Sequence, residues 1–235
     1  VVHEYVRRLC EITHPKGCLT MANGTPSRWP WMPADFDVMG TETDWNPYDA
    51  KTKSRPGWEP ISDDLIMYRR VLCGAKPYCY LMNTDFTKWT KDMTERYMRY
   101  ALAYGMLPGF FSANAATGHY FDNPDLYERD RPLFKKYIPL CKELSEAGWQ
   151  CVNRLTESDN AAVVTEQFGD FASGAAYATV FNLSDRPQAV KLRVKANVAA
   201  RELVTATAAS VEGGCISLSL PPETVRVYRL ERAMW

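Results

Sequence analysis

The sequence predicts an α/β fold: a parallel sheet of about four strands with its helices, followed by a small antiparallel β-sandwich. Two observations lead there. Up to about residue 150, short apolar runs ending in polar residues alternate with stretches of helical periodicity. From Cys151 the helical periodicity stops, and β-rich runs separated by turn signals take over. The expected domains are therefore 1–150 and 151–235.

The first seventeen residues read as a helix, with Val2, Tyr5, Val6, Leu9 and Ile12 on one face and Pro15 and Gly17 ending it. Cys18 to Ala22 is a buried-strand pattern stopped by Asn23-Gly24. Phe36 to Glu42 is the second strand. Asp63-Asp64 opens a helix that Gly74 stops. Tyr78 to Met82 is the third strand, Thr90 to Tyr104 a helix, Met106 to Phe111 the fourth strand, and about Arg131 to Ala147 the last helix. Tyr127 to Arg131 reads as a solvated helix start with local ion pairs. Beyond it, 161–168, 175–182, 189–194, 201–205, 215–220 and 224–230 are short β-rich runs. The alternation in the first part fits a (β/α)₈ barrel or a doubly wound open sheet. The lack of a G-x-G-x-x-G after any strand weakens a dinucleotide-binding version.

Composition narrows the function classes. Lys plus Arg and Asp plus Glu both number 28 in 235 residues, so neither a nucleic-acid partner nor an acidic tail is indicated. No apolar run reaches membrane-spanning length. The seven cysteines are irregularly spaced without a C-x-x-C pair, so they read as reduced, buried thiols of a cytoplasm-like compartment rather than a metal or redox site. The chain opens inside a helix without a Met, so the natural N-terminus is expected upstream and localisation stays open. Seven Trp and thirteen Tyr favour stacking surfaces.

Strand ends carry the candidate chemistry, because loops after barrel strands form the active-site face. Glu42 and Asp85 both close predicted strands, and glycoside cleavage needs two carboxyl groups across the scissile bond. Glu42, among Trp and Met residues, suits a general acid with a raised pKa; Asp85, beside Asn83, suits a charged stabiliser. Either carboxylate has a bland role open to it, capping the next helix or turn. Asn23, Asn83 and Asn114 also end strands and offer amides to sugar hydroxyls, although Asn favours turns for local reasons. Trp29, Trp31 and Trp45 lie in the following loops as stacking platforms or as loop packing. His119, near Asp122, is a ligand contact, a catalytic helper or a structural histidine. His3 and His14 suggest no function. No metal-spaced cluster stands out, and no cofactor is required.

Lys76 to Phe86, Tyr104 to Ser112 and the switch to Val180-Phe181-Asn182-Leu183-Ser184 resemble the end of barrel glycoside hydrolases of the α-glycosidase type. Asn83-Thr84-Asp85 is similar to the Asn-His-Asp signature of α-amylase-type enzymes, with Thr84 in place of the His. The resemblance implies that the four strands are the fifth to eighth of a (β/α)₈ barrel followed by its β-sandwich. Glu42 then ends the sixth strand, where α-galactosidase-type enzymes place an acid; amylase-type enzymes place theirs on the fifth. A nucleophile is implied on a fourth strand upstream of Val1. The expected function is retaining glycoside hydrolysis of a carbohydrate substrate. The partner would be the missing N-terminal barrel half or a second copy of the chain. The rival expectation is a non-catalytic carbohydrate-binding or assembly subunit.

Overall fold

The computed structural model describes residues 1–24, 31–43, 63–84, 90–112, 120–195 and 198–232. The chain divides into two compact units: Val1–Tyr97 with Met106–Pro132, and Met98–Gly105 with Leu133–Trp235.

The first unit is built on a four-stranded parallel sheet. Its strands are β1 (Met21–Asn23), β2 (Val38–Thr43), β3 (Tyr78–Thr84) and β4 (Leu107–Ser112), in the order β1-β2-β3-β4. That order favours one of the two architectures the alternation allowed. A doubly wound sheet reverses direction at a switch point. Here each strand lies beside its predecessor, and right-handed crossovers then put every connecting helix on the same face. Four parallel strands wound in one direction are the order that a barrel segment has. The helices are α1 (Val2–Thr13), α2 (Asp63–Cys73), α3 (Lys91–Ala103) and α4 (Pro124–Ala147).

Strand alternation separates two faces. Met39, Tyr78 and Tyr80 are fully buried on one. There the Tyr97 hydroxyl of α3 donates to the Tyr80 carbonyl and accepts from the Gly109 amide at 3.1 Å. The other face carries Met21, Gly40, Leu81 and Gly109. A Cβ on Gly40 would lie 2.6 Å from Met21 Cε, and one on Gly109 would lie 2.6 Å from Leu81 Cδ2. Large chains from neighbouring strands thus fill the space two glycines leave open, the alternation that closes a tapered interior.

α1 is fastened by two histidine–aspartate contacts. His14 Nε2 lies 2.9 Å from Asp37 Oδ2, and His3 Nε2 lies 3.1 Å from Asp35 Oδ2. Asp37 also accepts from the Thr20 amide and hydroxyl, each at 2.7 Å. Burial alone would raise its pKa; the Thr20 donors and His14 outweigh that and hold it at about 2. The folded value lies below the ordinary 3.8, so this stabilisation is complete above about pH 4 and is lost as pH falls toward 2. The full swing is about 2 kcal/mol. Asp37→Asn is expected to flatten that acid limb in urea titrations between pH 5 and pH 2.5.

α4 begins seven residues before the expected start at Arg131. Pro132 reads as a helix opening, yet the helix runs through both Pro132 and Pro139. Pro124 stands at its first position, where a missing N–H costs nothing. The segment expected to be solvated is only partly so. Glu128 and Arg131 pair in the open, but Asp130 is fully buried. It accepts from Thr94 Oγ1 and the Tyr120 hydroxyl at 2.8 Å each, and from Arg129 Nε at 2.8 Å.

The second unit contains two antiparallel sheets. One has the order β11-β10-β13-β8-β7-β5: β5 (Trp149–Gln150), β7 (Val163–Asp170), β8 (Ala175–Asn182), β10 (Val198–Glu202), β11 (Thr207–Ala209) and β13 (Val225–Arg232). The other is β12-β9-β6: β6 (Thr156–Ser158), β9 (Gln188–Val194) and β12 (Cys215–Leu220). Their inward rows, Ala176, Ala178 and Val180 against Val190, Leu192, Val194, Ile216 and Leu220, make one apolar core. This is the expected β-sandwich. β5, β6 and β11 were not anticipated, because runs of two or three residues carry too little periodicity to register. Residues 98–105, which include the end of α3, belong to this second unit: Thr179 Oγ1 donates to the Ala103 carbonyl at 2.6 Å, and Tyr100 meets Phe181 edge-on at 5.0 Å.

Candidate functional site

The parallel sheet brings three predicted residues to the C-terminal ends of adjacent strands. Asn23 closes β1 and is level with Gly40 of β2. Glu42, two positions further along β2, is level with Leu81 of β3, which is level with Gly109 of β4. Asn83, two positions beyond Leu81, is level with Phe111. Positions 23, 40, 42, 81, 83 and 109 therefore share one strand parity, that of Met21, and differ in parity from Tyr78 and Tyr80 beneath α3. β3 ends at Thr84, about 10 Å along the strand from the level of Glu42. Gly24 follows Asn23 at φ 70° and its amide donates to the Gly40 carbonyl at 2.7 Å. The polar end of β1 is thus held against β2 by a turn that glycine adopts without strain.

Of the stacking candidates, Trp31 is 40% exposed, with its ring centroid 5.8 Å from that of His3 on α1. Asp85, Trp29, Trp45, Asn114 and His119 lie outside the described residues.

No described group of three His, Cys, Asp or Glu residues forms a metal cluster. None of the seven cysteines is in a disulfide. Burial pushes the Cys73 and Cys141 thiols up to about 12, which leaves both protonated and unreactive at neutral pH. No described helix is long and apolar enough to cross a membrane. In the second unit, a depression of about 400 Å³ lies on the outer face of the β12-β9-β6 sheet, lined by Asp159, Lys191, Ser217 and Ser219 among others. It has no aromatic lining on which a pyranose could stack.

Sheet order, strand-end polar residues and a following β-sandwich together invite comparison with solved structures. An α-amylase from Anoxybacillus matches with a TM-score of 0.59 at 10% identity, over 99% of this chain and 56% of that one. α-Galactosidase I from Mortierella vinacea matches with a TM-score of 0.52 at 11% identity, over 99% of this chain and 63% of that one. The chain shares the barrel fold of glycoside hydrolases. The chain spans 56% and 63% of the length of these two structures. Identities this low carry the fold and not the chemistry. No protein-family model matches the chain, and no curated protein sequence is similar to it.

His3 and His14, which suggest no function from sequence, anchor α1 to the segment leading into β2. A signal was present. The two histidines are eleven positions apart, three helical turns on one face, and Asp35 and Asp37 alternate two apart opposite them.

Proposed function

We propose that the chain carries part of the active site of a retaining glycoside hydrolase, with Glu42 as acid/base and Asp85 as a charged stabiliser. Asn23, Asn83 and Asn114 would bind sugar hydroxyls, with Trp29, Trp31, Trp45 and His119 contributing further contacts. One observation supports this reading most. Parallel strands of a glycosidase-type barrel end in Asn23, Glu42 and Asn83 on three neighbours, at the face where barrel active sites form. The chemistry needs no cofactor. It does need a nucleophile, which the resemblance puts on a strand outside this chain, so the 235-residue chain alone is expected to be inactive.

The test is Glu42→Gln in the completed barrel, assayed on nitrophenyl α-galactosides and maltooligosaccharides. Loss of the acid is expected to lower kcat by about 10²–10⁴-fold while calorimetric sugar binding is kept. Turnover within threefold of the parent would remove Glu42 from the mechanism. Sugar binding by a completed barrel without turnover on any of these substrates would favour the non-catalytic carbohydrate-binding reading.

A further inference from the structure

β12 is the edge of the second unit that nothing blunts. A sheet edge offers unpaired N–H and C=O groups to any other strand, and folded proteins usually shorten it, charge it or interrupt it with proline. The other edges, β5, β6 and β11, are two or three residues long. β12 has six residues, Cys-Ile-Ser-Leu-Ser-Leu, without a charge or a proline, and pairs only with β9 among the described strands. Its hydrogen bonds show which backbone groups are open. The Val194 amide donates to the Gly214 carbonyl at 2.8 Å, and Cys215 exchanges both of its bonds with Glu212, at 2.9 and 3.0 Å, across the Gly213-Gly214 turn. With Cys215 level with Arg193, strand alternation turns the N–H and C=O of Ile216, Leu218 and Leu220 toward β9 and those of Ser217 and Ser219 outward. Both serines are exposed, and the depression of about 400 Å³ lies against residues 217–219. Ile216 and Leu220 are buried in the sandwich core, whereas Leu218 between them is only half-buried.

We propose that two copies of the chain pair antiparallel along β12, about a two-fold axis at Leu218, so that their β12-β9-β6 sheets become one continuous sheet. The strand's own pattern selects this occupant. Ile216-Ser217-Leu218-Ser219-Leu220 carries the same chemistry in both directions, so a two-fold contact sets like against like. Ser217 meets Ser219 of the second copy, and their outward N–H and C=O groups exchange both ladder bonds. Leu218 meets Leu218 of the second copy on the core face, their Cα atoms about 4.5 Å apart, and each covers what the other leaves exposed. Ile216 meets Leu220. No like charges oppose at the seam, because Lys191 and Arg193 stand one strand in from the edge, on β9. An unrelated strand would gain the same backbone bonds, but only a second β12 matches residue for residue on both faces. The contact lies wholly in the second unit, leaves the parallel sheet as it is, and stands whether or not Glu42 is catalytic. Five paired residues per copy make a small interface, so the dimer is reversible, with a dissociation constant on the order of 10–100 µM.

Sedimentation equilibrium of the 235-residue chain from about 5 to 500 µM tests this. Dithiothreitol is present throughout, because Cys18 and Cys151, expected from sequence to be buried, are exposed. A monomer–dimer equilibrium is expected, and the Ser217 and Ser219 amides should exchange with deuterium at least tenfold more slowly at the high concentration. Ser217→Glu with Ser219→Glu sets like charges opposite each other across the axis and should weaken the dimer at least tenfold. Ser217→Glu with Ser219→Lys sets opposite charges there and should keep the dissociation constant within threefold of the parent. Both side chains are exposed, so each variant should keep its Tm within about 3 °C. Three results would overturn the proposal: a monomer throughout, a dimer that leaves the Ser217 and Ser219 amides unprotected, or equal effects of the two charge pairs.

Discussion

Gly105→Ala is expected to destabilise the second unit by roughly 3–4 kcal/mol, through two separable effects. Gly105 follows the C-terminus of α3 at φ +59°, and its amide donates to the Leu102 carbonyl at 3.2 Å. An L-residue in that left-handed conformation costs about 1–2 kcal/mol. A new Cβ would also fall 2.1 Å from Phe168 Cε1 and 2.7 Å from Cζ. Phe168 is fully buried in β7, so its ring has nowhere to go; overpacking of this kind costs about 1–3 kcal/mol. Thermal unfolding should show a Tm lowered by about 10 °C. Gly105→Ala combined with Phe168→Leu should cost less than the sum of the two single changes, since the smaller side chain relieves the overlap but not the backbone strain. Strict additivity would mean that the ring does not oppose the new methyl group.

Asp130→Ala is the second large effect, expected at about 3 kcal/mol in the first unit. The buried carboxylate joins three segments: Thr94 on α3, Tyr120 ahead of α4, and Arg129 beside it. Burial first, and then the hydrogen bond to Asp130, raise the Tyr120 pKa well above its ordinary range, so the phenol stays a donor. Removing the acceptor leaves two buried hydroxyls with weaker alternatives, the Thr90 and Leu126 carbonyls, both at 3.3 Å. Arg129 is 30% exposed and can turn to solvent, which keeps the cost at the low end for a broken buried pair. Asp130→Asn retains one acceptor and should cost about half as much; Tyr120→Phe should cost about 1 kcal/mol. Urea unfolding would measure all three, and hydrogen exchange over 120–128 would show whether loosening begins at this anchor. Equal stability of Asp130→Ala and the parent would mean that water replaces the carboxylate.

Local pattern alone was enough for most elements. Asp63-Asp64 and Gly74 bracket α2, and Tyr78 to Met82 lies inside β3, because capping and apolar runs act over a few residues. β8 and β12 fall at their expected bounds for the same reason: turn signals flank them on both sides. The barrel reading and the β-sandwich came from the order of such elements together with a resemblance in short motifs, and the strand-end positions of Asn23, Glu42 and Asn83 followed from where those runs stop.

Tertiary structure decided what depends on distant neighbours. Strand order, which separates a barrel from a doubly wound sheet, is a matter of pairing across tens of residues and leaves no local periodicity. Asp130 reads as solvated because Tyr127 to Arg131 is polar in sequence; it is buried because Thr94 and Tyr120 arrive from elsewhere to satisfy it. Periodicity found the apolar arc of α1 but could not divide it. Which part is covered depends on Asp35, Asp37 and Thr20 meeting Cys10, His3 and His14, so Val6 is buried while Tyr5 and Ile12 stay exposed. A hydrophobic pattern records how much surface a helix must bury, and only the assembled neighbours determine against what.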